Sequence, residues 1–305
     1  MTKLVAGIDI GGTNTAYGLV DARGTIHSRG SIPTSAGVTA EALVETVSQR
    51  IRELLVQAGP QTELVGAGVG APNGNYFSGC IEFAPNLHWK GIIPLTSYFE
   101  KQLAVKSLLT NDAKAAALGE RLFGGAKGMN DFFFITLGTG LGSGIVANGS
   151  LIYGHDGLAG EVGHTILIPD GRPCGCGRKG CLETYCSATG LRTTYFEKTG
   201  TRLEAAAICE KALAGDAAAQ ETFIRTGEWL GFALANSVAY TSPSAIFLFG
   251  GLAHSGELLF KPTRESFEKN LLGIYQNKIK ILPSSLQETD AAILGAASLI
   301  WEGAA

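Results

Sequence analysis

KLVAGIDIGGTNTAYGLVDARGTIHSRG, residues 3–30, is the stretch on which the fold turns. Lys3–Asp9 reads as a short apolar strand that stops at Gly11-Gly12. Ala16–Asp21 and Thr25–Ser31 read as two further strands, joined through Ala22-Arg23-Gly24. Working outward, Ala40, Leu43, Val44, Val47, Ile51, Leu54 and Leu55 keep helical spacing and predict an amphipathic helix over 40–58. A strand over 64–70 follows, then a long connection over 71–94 containing Pro72-Asn73 and Pro85-Asn86. Residues 106–110 predict a strand and 112–123 an alanine-rich helix. FFFITLGTGLGSGIVA, residues 132–147, then repeats the opening: strand, glycine turn, strand. Ala245–Phe249 is a buried-type strand, residues 279–282 a short one, and the last helix starts at Asp290. A meander followed by a crossover, met twice, places the chain in the α/β class with a duplicated unit. The boundary is expected near 110–112. That gives a smaller lobe over 1–111, on which the helix 290–305 packs back, and a larger lobe over 112–289.

Composition narrows the function. Of 305 residues 42 are glycine, about 14%, roughly twice average usage. They keep no three-residue period, which excludes collagen, so they are expected at tight turns and close backbone approaches. The hydrophobic share is 45% and the formal net charge −3, which excludes a disordered chain. An acidic balance with no basic run argues against a nucleic-acid partner. The start lacks a basic and apolar leader, and no apolar stretch reaches membrane-spanning length. Six cysteines are too dilute for a disulfide scaffold, so a cytoplasmic enzyme is expected.

Five segments carry chemistry. In Asp9-Ile10-Gly11-Gly12-Thr13-Asn14, two glycines let backbone N–H groups approach a phosphate, Thr13 supplies a hydroxyl, and Asp9 suits a magnesium ion, directly or through water. A plain hairpin turn is the alternative, and no Gly-Lys-Ser/Thr follows to make a Walker loop. Gly138-Thr139-Gly140-Leu141-Gly142 has the same form, and Gly250-Gly251 is a third strand-end turn. Asn111-Asp112 lies between strand and helix, where a helix N-cap competes with a general base for an alcohol. Glu161-Val162-Gly163-His164 precedes Cys174-Gly175-Cys176 and Gly180-Cys181-Leu182-Glu183. Three thiols and an imidazole match a closed structural zinc site; a disulfide and free buried thiols are the alternatives.

Taken together and in this order, these motifs resemble those of the ROK family (repressor, open reading frame, kinase), over residues 5–300. The resemblance implies a two-lobed actin/hexokinase-like ATPase fold, a ribonuclease H-like unit used twice around a cleft. It implies transfer of a phosphoryl group from ATP to the 6-hydroxyl of a hexose, glucose first, with ATP, Mg²⁺ and a structural Zn²⁺. By position, Asp112 is similar to the family's catalytic base, and Asn111 and Asp112 to its ligands for the sugar 3- and 4-hydroxyls. Glu161, His164 and Glu183 match the 1- and 2-hydroxyl side, with His164, Cys174, Cys176 and Cys181 holding zinc. Gly11, Gly12, Thr13, Asn14, Thr139 and Gly140 match the phosphate loops, with Asp9 beside them, and Gly250 and Gly251 the adenosine side. Asn86 matches a further sugar contact, and Asn73 stands where many members have glycine, adding a polar side chain. The resemblance also implies a homo-oligomer, dimer or tetramer. A hexosamine kinase, such as one for N-acetylmannosamine, differs only in room around the 2-substituent. A sugar-responsive repressor would carry a helix-turn-helix segment ahead of Asp9, for which the start leaves no space.

Overall fold

The computed structural model of the protein describes residues 1–35 and 37–303. The chain begins β1 (Thr2–Ile10), β2 (Asn14–Val20), β3 (Ile26–Pro33), α1 (Ala40–Ala58) and β4 (Thr62–Gly70). Next come β5 (Ile81–Glu82), β6 (Ile92–Ile93), α2 (Leu95–Leu103), β7 (Ser107–Thr110) and α3 (Asp112–Phe123). The middle runs β8 (Phe132–Leu137), β9 (Leu141–Ala147), β10 (Ser150–Leu151), α4 (Glu183–Cys186), α5 (Ala188–Thr199) and α6 (Ala205–Leu213). It closes with α7 (Ala217–Ser237), β11 (Ala245–Phe249), α8 (Glu257–Asn270), β12 (Lys280–Pro283) and α9 (Glu288–Glu302). Residues 304–305, which the sequence reading adds to the last helix, lie outside the described residues.

Two five-stranded sheets share one topology. The first has order β3-β2-β1-β4-β7 and the second β10-β9-β8-β11-β12. In each, the first two strands pair antiparallel and the next two join in parallel. β1 and β8 are central and buried along nearly their whole length, the pattern of a strand covered on both faces. Each sheet has its own core: Leu4, Ile8, Val47 and Val69 in the first, Phe133, Ile135, Leu230 and Ile246 in the second. Among the described residues, no helix is long and apolar enough to cross a membrane.

The division between the compact units differs from the expected 111/112 boundary. The first unit comprises residues 1–129, Leu151–Ala159 and the chain from Ser285, and the second Asn130–Ser150 and Gly160–Ser284. Helix α3, and Asp112 with it, therefore belongs to the first unit. The cause is close packing by α9. A Cβ on Gly119 would stand 3.0 Å from the Gly295 Cα, and one on Gly295 2.7 Å from the Ala115 carbonyl oxygen, so the two helices meet backbone to backbone. The same helix lies directly on the sheet, where a Cβ at Gly7 or Gly68 would overlap the carbonyl oxygens of Ile293 and Ala296. Gly68→Ala is expected to cost about 1–3 kcal/mol through overpacking. Gly273→Ala, in open space, should shift the denaturant midpoint little. Equal midpoints for the two variants would contradict the packing argument.

The long connection 71–94 contains the β5–β6 hairpin, too short to leave a pattern in the sequence. Helix α2 is also unassigned in the sequence reading, although Leu95, Phe99 and Leu103 are buried at i, i+4, i+8 spacing.

Candidate active site

In the first unit, register brings the acidic residues together. Asp9 of β1 pairs with Gly70 of β4, and Gly70 with Thr110 of β7, so the carboxyl ends of three parallel strands are level. Ligands of open α/β sheets bind at such strand ends. A Cβ on Gly70 would lie 3.4 Å from Asp9 Oδ1 and 3.7 Å from the Asp112 Cα, so glycine here leaves the two carboxylates their closeness.

The residue before Asp112 provides the cap. Asn111 is the N-cap of α3, its Oδ1 accepting from the N–H groups of Ala113 (3.0 Å) and Lys114 (3.4 Å). Asp112 is the first helical residue, and its Oδ1 takes the Ala113 N–H at 2.8 Å. Solvent reaches Asp112, yet protein surrounds it at longer range. That low-polarity surround raises its pKa above the usual carboxylate range, against hydrogen bonds from Ala113 and Asn111 that lower it. Asp9 is pushed up to about 7, by burial first and the Asp112 charge second. Two carboxylates that resist ionising together suit a divalent cation, which would relieve both penalties.

The opening glycine turn is partly explained by the protein itself. A Cβ on Gly12 would lie 2.6 Å from the Asn86 carbonyl oxygen, so the Pro85–Leu87 turn presses on it. Gly11 donates to the Asn14 carbonyl at 2.9 Å, and the Thr13 and Asn14 side chains are exposed. Asn73 has φ 52°, the left-handed conformation that asparagine tolerates best after glycine. Its Nδ2 donates to the Glu82 carbonyl at 2.9 Å, so the side chain also fastens the β5–β6 hairpin.

In the second unit, Gly250 has φ 99° and packs against the Leu137 carbonyl, while Gly251 faces open space. The Thr139 carbonyl accepts from the Thr189 hydroxyl at 2.8 Å. Gly140 and Glu183 meet: a Cβ on Gly140 would lie 2.7 Å from Glu183 Oε2, and the same oxygen takes the Leu141 N–H at 3.4 Å. Glu183 Oε1 accepts from the Cys174 thiol at 3.1 Å and lies 3.8 Å from His164 Nδ1. Gly163, whose Cβ would strike the Leu141 carbonyl, lets the 3-10 turn Val162–His164 pack on β9, with Glu161 exposed before it.

The ligand atoms of His164, Cys174, Cys176 and Cys181 all lie within 4.8 Å of one another. Cys174 Sγ is 3.7 Å from His164 Nδ1, and Cys176 Sγ 3.6 Å from Cys181 Sγ. A tetrahedral zinc with bonds of about 2.3 Å needs sulfurs about 3.8 Å apart. A disulfide needs about 2.05 Å, and all six cysteines are free thiols. Without a metal, burial pushes Cys174 up to about 12 while hydrogen bonds from Arg178 draw Cys176 down to about 6. Ionising all three thiols at this spacing would require a cation among them, and the donor set fits zinc.

Sequence reasoning misses Asn75, Lys114 and Tyr153, which fix the segment 151–159 in the first unit. The readable signal was Lys114, a cation in the first turn of a helix, where the dipole disfavours it.

The duplicated sheet with glycine turns at the ends of β1, β8 and β11 defines an actin/hexokinase-like ATPase fold. The sequence model of the ROK family matches residues 5–302, and the chain belongs to that family. It is 34% identical to a glucokinase of Thermotoga maritima, over 99% of both chains. It is 33% identical to an N-acetylmannosamine kinase of Escherichia coli strain HS, over 98% of both. Among solved structures it is similar to a ROK family glucokinase from Streptomyces griseus in complex with glucose and AMPPNP, with 33% identity, TM-score 0.79 and coverage of 97% of this chain and 98% of that one.

Proposed function

We propose that the protein is an ATP-dependent kinase that phosphorylates the 6-hydroxyl of a hexose, glucose in first place. The observation that carries this reading is Asp112 at the level ends of three parallel strands, with Asn111 doing the work of the cap. The Asp112 carboxylate accepts the proton of the attacking hydroxyl as the oxygen bonds to the terminal phosphorus of ATP and the bond to ADP breaks. Asn111, Asn86, Glu161, His164 and Glu183 supply the polar groups for the sugar hydroxyls. Asn73 contributes through the Oδ1 that its hairpin bond leaves over. Asp9 would hold Mg²⁺, which neutralises charge on the transferring phosphates.

His164 faces the zinc ligands through Nδ1, which leaves Nε2 for a sugar hydroxyl. A thiolate at Cys174 has no proton to give, so in the metal-bound site Glu183 Oε1 is left to accept from substrate. The glycine turns at 11–12 and 138–140 present N–H groups to the phosphates, with Gly250-Gly251 on the adenosine side. The glucokinase relatives at similar coverage support glucose, and the N-acetylmannosamine kinase relative makes a hexosamine the competing substrate. A coupled ATP assay across glucose, mannose, fructose, N-acetylglucosamine and N-acetylmannosamine decides between them; turnover of none would overturn the kinase reading. A homo-oligomer accompanies this reading and is checked by solution sizing.

Asp9 links function to stability. Its pKa is about 7 folded and 3.8 unfolded, so the folded chain binds the extra proton between those values. Ligand-free stability is therefore expected to fall as pH rises through that window. Asp9→Asn should flatten the fall and melt higher than wild type at pH 8 without divalent cations, while losing activity. Thermal melts at pH 5 and 8 test this, and an unchanged slope would contradict it.

A further inference from the structure

Residues 151–159 leave the second unit's chain, pack in the first unit, and return one residue before Gly160 and two before Glu161. Three first-unit side chains hold this strap. The Tyr153 ring stacks on Tyr76, centroids 4.3 Å apart at 16°. Asn75, 5% exposed, donates from Nδ2 to the Asp156 carbonyl at 2.7 Å. Lys114, 2% exposed, donates from Nζ to the next carbonyl, that of Gly157, also at 2.7 Å. Gly157 has φ 88°, and a Cβ there would lie 2.5 Å from Asn75 Oδ1, so the strap's backbone is drawn tight against its anchors. On the far side, the Ser143 hydroxyl donates to the Gly160 carbonyl and accepts the Val162 N–H at 3.2 Å. Glu161 therefore has its backbone held on either side by Ser143 and follows the strap's last residue, Ala159, by two positions.

Lys114 is costly where it stands. A buried ammonium is penalised by lost hydration, and a cation in a first helical turn by the helix dipole. An apolar side chain of equal length would meet neither cost.

We propose that Lys114 is a positioning residue for the sugar: by holding the Gly157 carbonyl it ties the helix that carries Asp112 to the strap that sets the backbone of Glu161. The inference rests on the proposed roles of Asp112 and Glu161. Lys114→Met keeps length and removes the donor. Loss of the buried, charged hydrogen bond to the Gly157 carbonyl should raise the sugar KM about tenfold. kcat should stay within about threefold and the ATP KM should not move. In the ligand-free protein, hydrogen exchange of the amides of residues 158–162 should quicken about tenfold, with α3 unchanged, and Lys114→Arg should restore both readouts in part. An unaltered sugar KM with unaltered exchange would overturn the proposal. So would sugar and ATP KM rising together with faster exchange throughout α3, the mark of general loosening. Should the wild-type chain phosphorylate none of the hexoses, the kinase reading falls, and the exchange rates alone decide the tether by the same criterion.

Discussion

Asp112→Asn is expected to lower turnover by about 10²- to 10⁴-fold, the usual contribution of a positioned general base. Sugar binding should survive, because the substitution is nearly isosteric. The amide oxygen still accepts the Ala113 N–H, and Asn111 still caps the helix, so α3 begins at the same residue. Only the capacity to take a proton is lost. The low-polarity protein surround holds the Asp112 pKa above the ordinary carboxylate range, so the wild-type rate should fall on the acid side at a pH higher than a fully solvated aspartate would give. The coupled assay and a calorimetric titration with glucose measure the two effects separately. Retention of more than about 5% of wild-type turnover would remove Asp112 from the role of base.

Metal loss is the second large effect. The purified chain is expected to carry about one zinc, as a four-ligand site of this kind implies. Cys176→Ser is the informative variant because Cys176 is exposed. Its replacement leaves no cavity, so any loss of stability is a loss of coordination. Structural zinc contributes on the order of 10 kcal/mol in small peptides with no other core. Here β8 and β11 have a core of their own, so the damage should concentrate in the segment from Glu161 to Glu183. Faster exchange and new proteolysis there, with slow exchange retained in β8, are expected together with a raised sugar KM. A metal-free preparation with full activity would refute the site.

What could be read from the sequence was local. The strands and glycine turns are runs of a few residues with their own signatures, and their predicted places agree with β1, β4, β8 and β11 within two residues. The residues proposed to hold zinc lie within eighteen residues of one another, so their chemistry is visible as a cluster. The contacts that decide domain membership are remote. Sequence alone puts Asp112 in the larger lobe, because nothing near it announces that its helix packs on Gly295. Gly12 read as a place for a phosphate, yet the atom nearest its missing side chain is the carbonyl of Asn86, 74 positions away. The glycine excess divides accordingly: part serves turns, and part, at Gly7, Gly68, Gly119 and Gly295, forms the floor on which α9 rests.

That floor has a consequence for biosynthesis. Helix α9 covers the first strands of the chain but is translated after the whole second unit. Domains generally fold as they emerge, N-terminal parts first. Here the N-terminal sheet, complete at Thr110, must wait with one face uncovered until Glu288 begins α9, and at ordinary elongation speeds that wait is on the order of 10 s. The helix bearing Asp112 loses its main partner for the same interval. The nascent protein can therefore complete the second unit's sheet well before the helix that bears Asp112 has the partner it packs on.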